Sequence, residues 1–140
     1  MNNREIAESL KSLVKLYGDS AWNYERALDL IQDEELYQQL LEMHGSHLDR
    51  MESLKEYIKQ LGERVSEAEY MEEISPEISV VNDEMADEDI VRVLKKNENV
   101  LSKKLQSVVE NIQIPELAQD LEEEIEDEKI YIDTLQNFMS

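Results

Sequence analysis

VRVLKKNENVLSKKLQSVVENI (91–112) is the stretch on which the reading of this chain turns. Val91, Leu94, Glu98, Leu101, Leu105, Val108 and Ile112 follow the three–four alternation of a helical core seam. One member departs from the pattern. Glu98 stands where an apolar side chain belongs, two turns into the helix. A carboxylate in a helical core must meet a cation, a metal or a proton, because burying it unpaired is very costly.

The segments on either side carry the same period. A first helix is predicted over about 3–31, with Ile6, Leu10, Leu13, Tyr17, Ser20, Tyr24, Ala27 and Ile31 as its seam. Asp33 is a suitable N-cap for a second helix over about 34–61, which Gly62 ends. Its seam is Leu36, Leu40, Met43, His47, Arg50 or Met51, Leu54, Ile58 and Leu61. The short connection between the two makes an antiparallel hairpin. Residues 63–89 lose the stripe, contain Pro76 and are rich in acids, so they read as a crossover. The third helix follows over about 90–112. Pro115 opens a fourth over about 115–138, with Leu117, Leu121, Glu124, Glu128, Tyr131, Leu135 and Phe138 along its seam.

A shift of 81 residues lays 31–54 on 112–135 without a gap, and eight of 24 positions match. Both inter-helix turns align under that shift. Two similar hairpins joined by one long crossover describe an all-α four-helix bundle of ferritin-like connectivity, up-down-down-up, with helices two and three parallel. The competing arrangement is up-down-up-down, with 63–89 folded as extra helix. The whole chain, 1–140, is read as one bundle domain.

Composition narrows the function classes. The chain has 41% apolar residues with only 3 Gly and 2 Pro, a balance that favours long helices. Its 34 acidic and 14 basic residues give a net charge of -20. So negative a surface disfavours nucleic acid and anionic membranes and attracts metal cations or basic partners. There is no Cys, hence no thiolate site or disulfide framework. Neither a signal-peptide core nor an apolar run of ~20 residues is present, so the expected location is the cytoplasm. No phosphate loop or nucleophile elbow occurs.

The polar residues on the four seams collect into one layer: Tyr17 and Tyr24, His47 and Arg50, Glu98, and Glu124, Glu128 and Tyr131. The internal shift pairs Tyr17 with Glu98, His47 with Glu128 and Arg50 with Tyr131. This layout resembles the ferritin-like superfamily in its rubrerythrin-like branch, and is similar to small bacterial four-helix bundles of that type. The family motif is a Glu on the first helix of each hairpin and Glu-x-x-His on the second. Carried onto this chain, only Glu98 and Glu128 keep the expected residue type among six ligand positions. Tyr17, His47, Arg50 and Tyr131 occupy the others, and Leu105 replaces a Tyr that the first hairpin keeps as Tyr24.

Three readings of the layer follow. In one, Arg50 stands in for the metal and makes a mostly buried ion pair with Glu98, Glu128 or both. In another, His47, Glu98 and Glu128 hold one metal ion. In the third, these groups face water. The first implies a non-catalytic scaffold or interaction protein with no cofactor, and the resemblance implies that it is stress-associated. The alternative is an iron- or manganese-binding oxidoreductase or iron-handling protein with a reduced site. The resemblance also implies self-association as a dimer or larger. His44 and Trp22 read as surface residues, Trp22 as a candidate partner contact.

Overall fold

The computed structural model describes residues 2–65 and 73–139. Among the described residues the regular structure is four helices: α1 (Asn3–Leu30), α2 (Glu34–Gln60), α3 (Asp87–Asn111) and α4 (Pro115–Asn137). Local chemistry sets their ends. Asn2 caps α1 by accepting from the Glu5 N–H at 2.9 Å, and Asp33 caps α2 by accepting from the Leu36 N–H at 2.8 Å. Gly62 closes α2 with a φ of 83°, a left-handed conformation that glycine adopts without steric penalty. α3 starts at Asp87, three residues before the expected start, with acids at Asp87, Glu88 and Asp89 on the positive end of its dipole. Part of the expected crossover, 66–72, lies outside the described residues.

The topology is read from one carboxylate. Asp87, the first residue of α3, accepts from the backbone N–H groups of Gln32 and Asp33 at 3.0 and 2.9 Å. The start of α3 therefore sits at the α1–α2 turn, parallel to α2 and antiparallel to α1. This is the up-down-down-up order, and it excludes up-down-up-down. The close helix pairs are α1 with α2, α3 with α4, and α1 with α3.

The crossover returns across α1 and α3, tied down by buried polar side chains. Asp19 accepts from the Ser75 N–H at 3.0 Å, and Asn23 from the Val81 N–H at 2.8 Å. Asn97 pairs with both backbone groups of Ser79, at 2.8 and 2.9 Å. Arg26 Nε donates to the Val81 carbonyl at 2.9 Å. An irregular segment over a core needs such partners, because its buried N–H and C=O groups lack a ladder. With them satisfied, Ile78 and Val81 enter the core.

The apolar interior forms two clusters. One surrounds Leu10, Leu13, Tyr17, Leu54, Leu105 and Leu121; the other surrounds Tyr24, Leu36, Leu40, Leu94 and Leu135. Between them lies a polar layer of Ser20, His47, Glu98, Glu124 and Glu128, all buried.

Candidate metal centre

Each member of the layer is placed by a seam position of its helix, so burial follows from periodicity. Glu98 on α3 and His47 on α2 are fully buried, and Glu128 on α4 is 1% exposed. Glu98 Oε1 lies 2.7 Å from His47 Nε2 and accepts from the Tyr24 hydroxyl at 2.8 Å and the Ser20 hydroxyl at 3.4 Å. Glu128 Oε1 is 4.0 Å from His47 Nε2. Ligand atoms from His47, Glu98 and Glu128 all lie within 4.8 Å of one another. Each of the three keeps one buried polar atom without a hydrogen-bond partner: His47 Nδ1, Glu98 Oε2 and Glu128 Oε2. Such atoms are rare in folded proteins and ask for a reason.

The charges are unevenly divided. Burial raises the Glu98 carboxyl, but the charge of His47 and hydrogen bonds from its neighbours outweigh it and bring the group down to about 2. Burial and the adjacent Glu98 charge push Glu128 well above the usual carboxylate range, so Glu128 keeps its proton. Like charges at close range in one dry site push the two carboxyls apart, Glu98 down and Glu128 up. Burial, with the nearby carboxylates, also raises the Tyr17 and Tyr24 hydroxyls well above their ordinary value, so both remain hydrogen-bond donors. Their rings pack edge-on against His47, with centroids 5.3 and 5.2 Å away.

A second pair adjoins this group. Tyr17 donates to Glu124 Oε1 at 2.7 Å. Burial raises Glu124 to about 7, against the opposing pull of the Tyr17 hydrogen bond and the Arg50 charge. Tyr131 is half-buried; its hydroxyl donates to Ser46 Oγ at 2.5 Å and its ring leans on His47 at 5.8 Å.

Arg50 departs from expectation. It makes its ion pair with Asp127, not with Glu98 or Glu128, and the side chains of both partners are partly exposed, 28% and 38%. The reason is its place on α2. Arg50 lies off the line through His47, toward α4, and its long stem carries the guanidinium to the bundle rim, where it keeps water. Drawing it inward would add desolvation that Asp127 makes unnecessary. Arg50→Met is accordingly expected to change urea-unfolding stability by less than ~1 kcal/mol, the scale of an exposed pair. Two participants went unseen in the sequence, Ser46 and Asp127. Each directly precedes a layer residue, His47 or Glu128, so a search of the flanks of the seams would have reached them.

The donor set can be tested against the two-metal layout of the motif. A pair of ions needs about six protein ligands, mostly carboxylates. Here Tyr17 is engaged with Glu124, Arg50 is engaged with Asp127, and Tyr131 offers a phenol where an imidazole is needed. The pair does not fit. One ion does, since an imidazole and two carboxylates suit Fe²⁺, Mn²⁺ or Zn²⁺.

The fold is that of a ferritin-like four-helix bundle. No protein-family model matches the sequence, and no curated protein matches it. Among solved structures, the chain is similar to a Dps protein from Vibrio cholerae O1, described as a member of a broad superfamily of ferritin-like diiron-carboxylate proteins. The TM-score is 0.83 at 18% identity, covering 97% of this chain and 89% of that one. It is also similar to a ferritin-like diiron-carboxylate protein from Bacillus anthracis str. Ames, with a TM-score of 0.81 at 17% identity over 99% and 97% of the two chains. At these identities the likeness is one of fold. Among the described residues, no helix is long and apolar enough to cross a membrane.

Proposed function

We propose that this protein is a ferritin-like bundle that handles a single divalent ion of the ferrous or manganous kind, held by His47, Glu98 and Glu128. The observation that carries the reading is the convergence of three buried ligand groups, one imidazole and two carboxyls, whose ligand atoms lie within 4.8 Å of one another. The iron chemistry of the two similar structures supports the choice of ion class. The rubrerythrin-like ligand scheme supports a reduced site, because four of its six positions are substituted here. A bound ferrous or manganous ion would supply one-electron redox chemistry. Tyr24 would orient Glu98 by donating to Oε1, which leaves Oε2 for a ligand. The Tyr17, Tyr24 and Tyr131 rings would shield His47 from water. Glu128 would release its proton on taking up a cation, so binding should acidify a weakly buffered solution.

A second reading is a metal-free scaffold. The 2.7 Å contact between His47 and Glu98 favours it, since a charged His47 can itself neutralise Glu98. Elemental analysis of protein purified without chelator, followed by anaerobic titration with Fe²⁺ or Mn²⁺, separates the two. The expected result is one ion per chain, lost in His47→Ala. Two ions per chain would restore a paired site. No uptake in either experiment would leave the scaffold.

A further inference from the structure

The buried layer is enclosed differently on each side. α1 packs on α2, α3 packs on α4, and the crossover is tied down over α1 and α3. The remaining seam, between α2 and α4, is bridged by side chains. Arg50 pairs with Asp127 across it, and the Tyr131 hydroxyl donates to Ser46. Both ties lie beside the candidate ligands: Ser46 and Arg50 flank His47 on α2, and Asp127 and Tyr131 flank Glu128 on α4. Parting this seam would uncover His47 and Glu128 together.

A cleft of about 720 Å³ opens at the seam. Glu122, Glu123, Glu126 and Asp127 line it from α4, and Arg50 lines it from α2. Carboxylates gathered in a cleft raise the local concentration of cations. Among the described residues that line the cleft, Arg50 alone is cationic. Its charge also reaches Glu124. Glu124 lies one step further in: it is 4% exposed, accepts from Tyr17 at 2.7 Å, and so adjoins the Tyr17 ring that packs on His47 at 5.3 Å. A carboxylate row thus runs from the cleft to the layer, with one fixed positive charge set across it. A neutral side chain would close the seam as well as Arg50 does. A guanidinium adds repulsion toward any cation that passes.

We infer, on the single-ion reading proposed above, that the α2–α4 cleft is the route by which cations reach His47, Glu98 and Glu128, with Glu124 as the carboxylate passed on the way and the Arg50 charge as the barrier that sets the rate. Glu124 and Arg50 are then positioning residues for ion entry and not ligands of the bound ion.

The test follows Mn²⁺ with the full, metal-free chain. Uptake is read from the loss of the free-ion electron paramagnetic resonance signal after mixing, and release from its return as the chelated ion on adding excess EDTA. Arg50→Met should speed uptake ~10-fold or more, because a unit charge is removed from the path. It should speed release as well, which separates a lowered barrier from a tightened site. Arg50→Lys keeps the charge and should stay close to wild type. Glu124→Gln should slow both uptake and release while one ion per chain is still bound at saturation. Arg26→Met loosens the crossover, through the Val81 carbonyl and Asp83 that Arg26 holds, and should leave both rates unchanged. One ion per chain taken up at equal rates by wild type and Arg50→Met overturns the inference and leaves the site standing. So does faster uptake in Arg26→Met alone, which would place the entrance under the crossover. Faster uptake with slower release in Arg50→Met overturns it too, since Arg50 would then act on affinity. Absence of uptake in every chain overturns the single-ion reading itself, and the route with it.

Discussion

His47→Leu is expected to destabilise the fold by ~3–5 kcal/mol in urea unfolding near pH 7 with chelator present. Glu98 is fully buried and takes its main charge compensation from His47. Leucine fills the space of the imidazole but strands the carboxylate. The protein can respond by protonating Glu98, at a cost of ~3 kcal/mol near pH 7 for a group with an ordinary value near 4.5. Either route brings a comparable loss. The triple variant His47→Leu, Glu98→Leu, Glu128→Leu should be much milder, because apolar residues of similar volume often replace a buried charged set without net loss. A triple variant as damaged as the single one would mean that shape, not charge, governs the layer.

The pH dependence of the single variant follows from the depressed Glu98. Its folded value, about 2, is below the ordinary 4.5. The stabilisation is therefore present above about 4.5 and is lost as pH falls through about 2. The gap between wild type and His47→Leu should narrow across that window.

Glu124→Gln is expected to stabilise the protein by ~1–3 kcal/mol at pH 8 and to leave it nearly unchanged at pH 4. Here the sign is reversed. The folded carboxyl is raised to about 7 from an ordinary 4.5. Between those values the folded state binds the proton that the unfolded state has lost, so stability falls as pH rises, and the full penalty is in place above about 7. Glutamine removes the ionisable group yet keeps an oxygen to accept from Tyr17, which donates to Glu124 at 2.7 Å. Urea unfolding midpoints across pH 4 to 8 measure the difference. A destabilised variant at pH 8 would show that the ionised Glu124 is better accommodated, through the nearby Arg50, than its burial implies.

Periodicity alone determined a good deal of this molecule. Three–four spacing fixes which way a side chain points around its own helix axis, and that places Glu98, Glu128, Glu124, His47, Tyr17 and Tyr24 inside before any packing is known. The long interruption after Gly62 and the short turns at 31–33 and 112–114 restrict the connectivity to few choices, and the Asp87 contacts with Gln32 and Asp33 agree with the up-down-down-up one. What spacing leaves open is the axial offset between helices and the reach of a flexible side chain. Arg50 and Asp127 are 77 positions apart, and only the stagger of α2 against α4 brings them together at the rim. The same holds for the link of Tyr131 to Ser46. The anchors of the crossover are a further case. Asp19, Asn23 and Asn97 sit on helix faces that a sequence pattern marks as solvent-facing, yet they are buried because an irregular segment lies over them and needs their polar atoms. A helical repeat encodes a residue's own direction; the identity of its partner is a property of the assembled bundle.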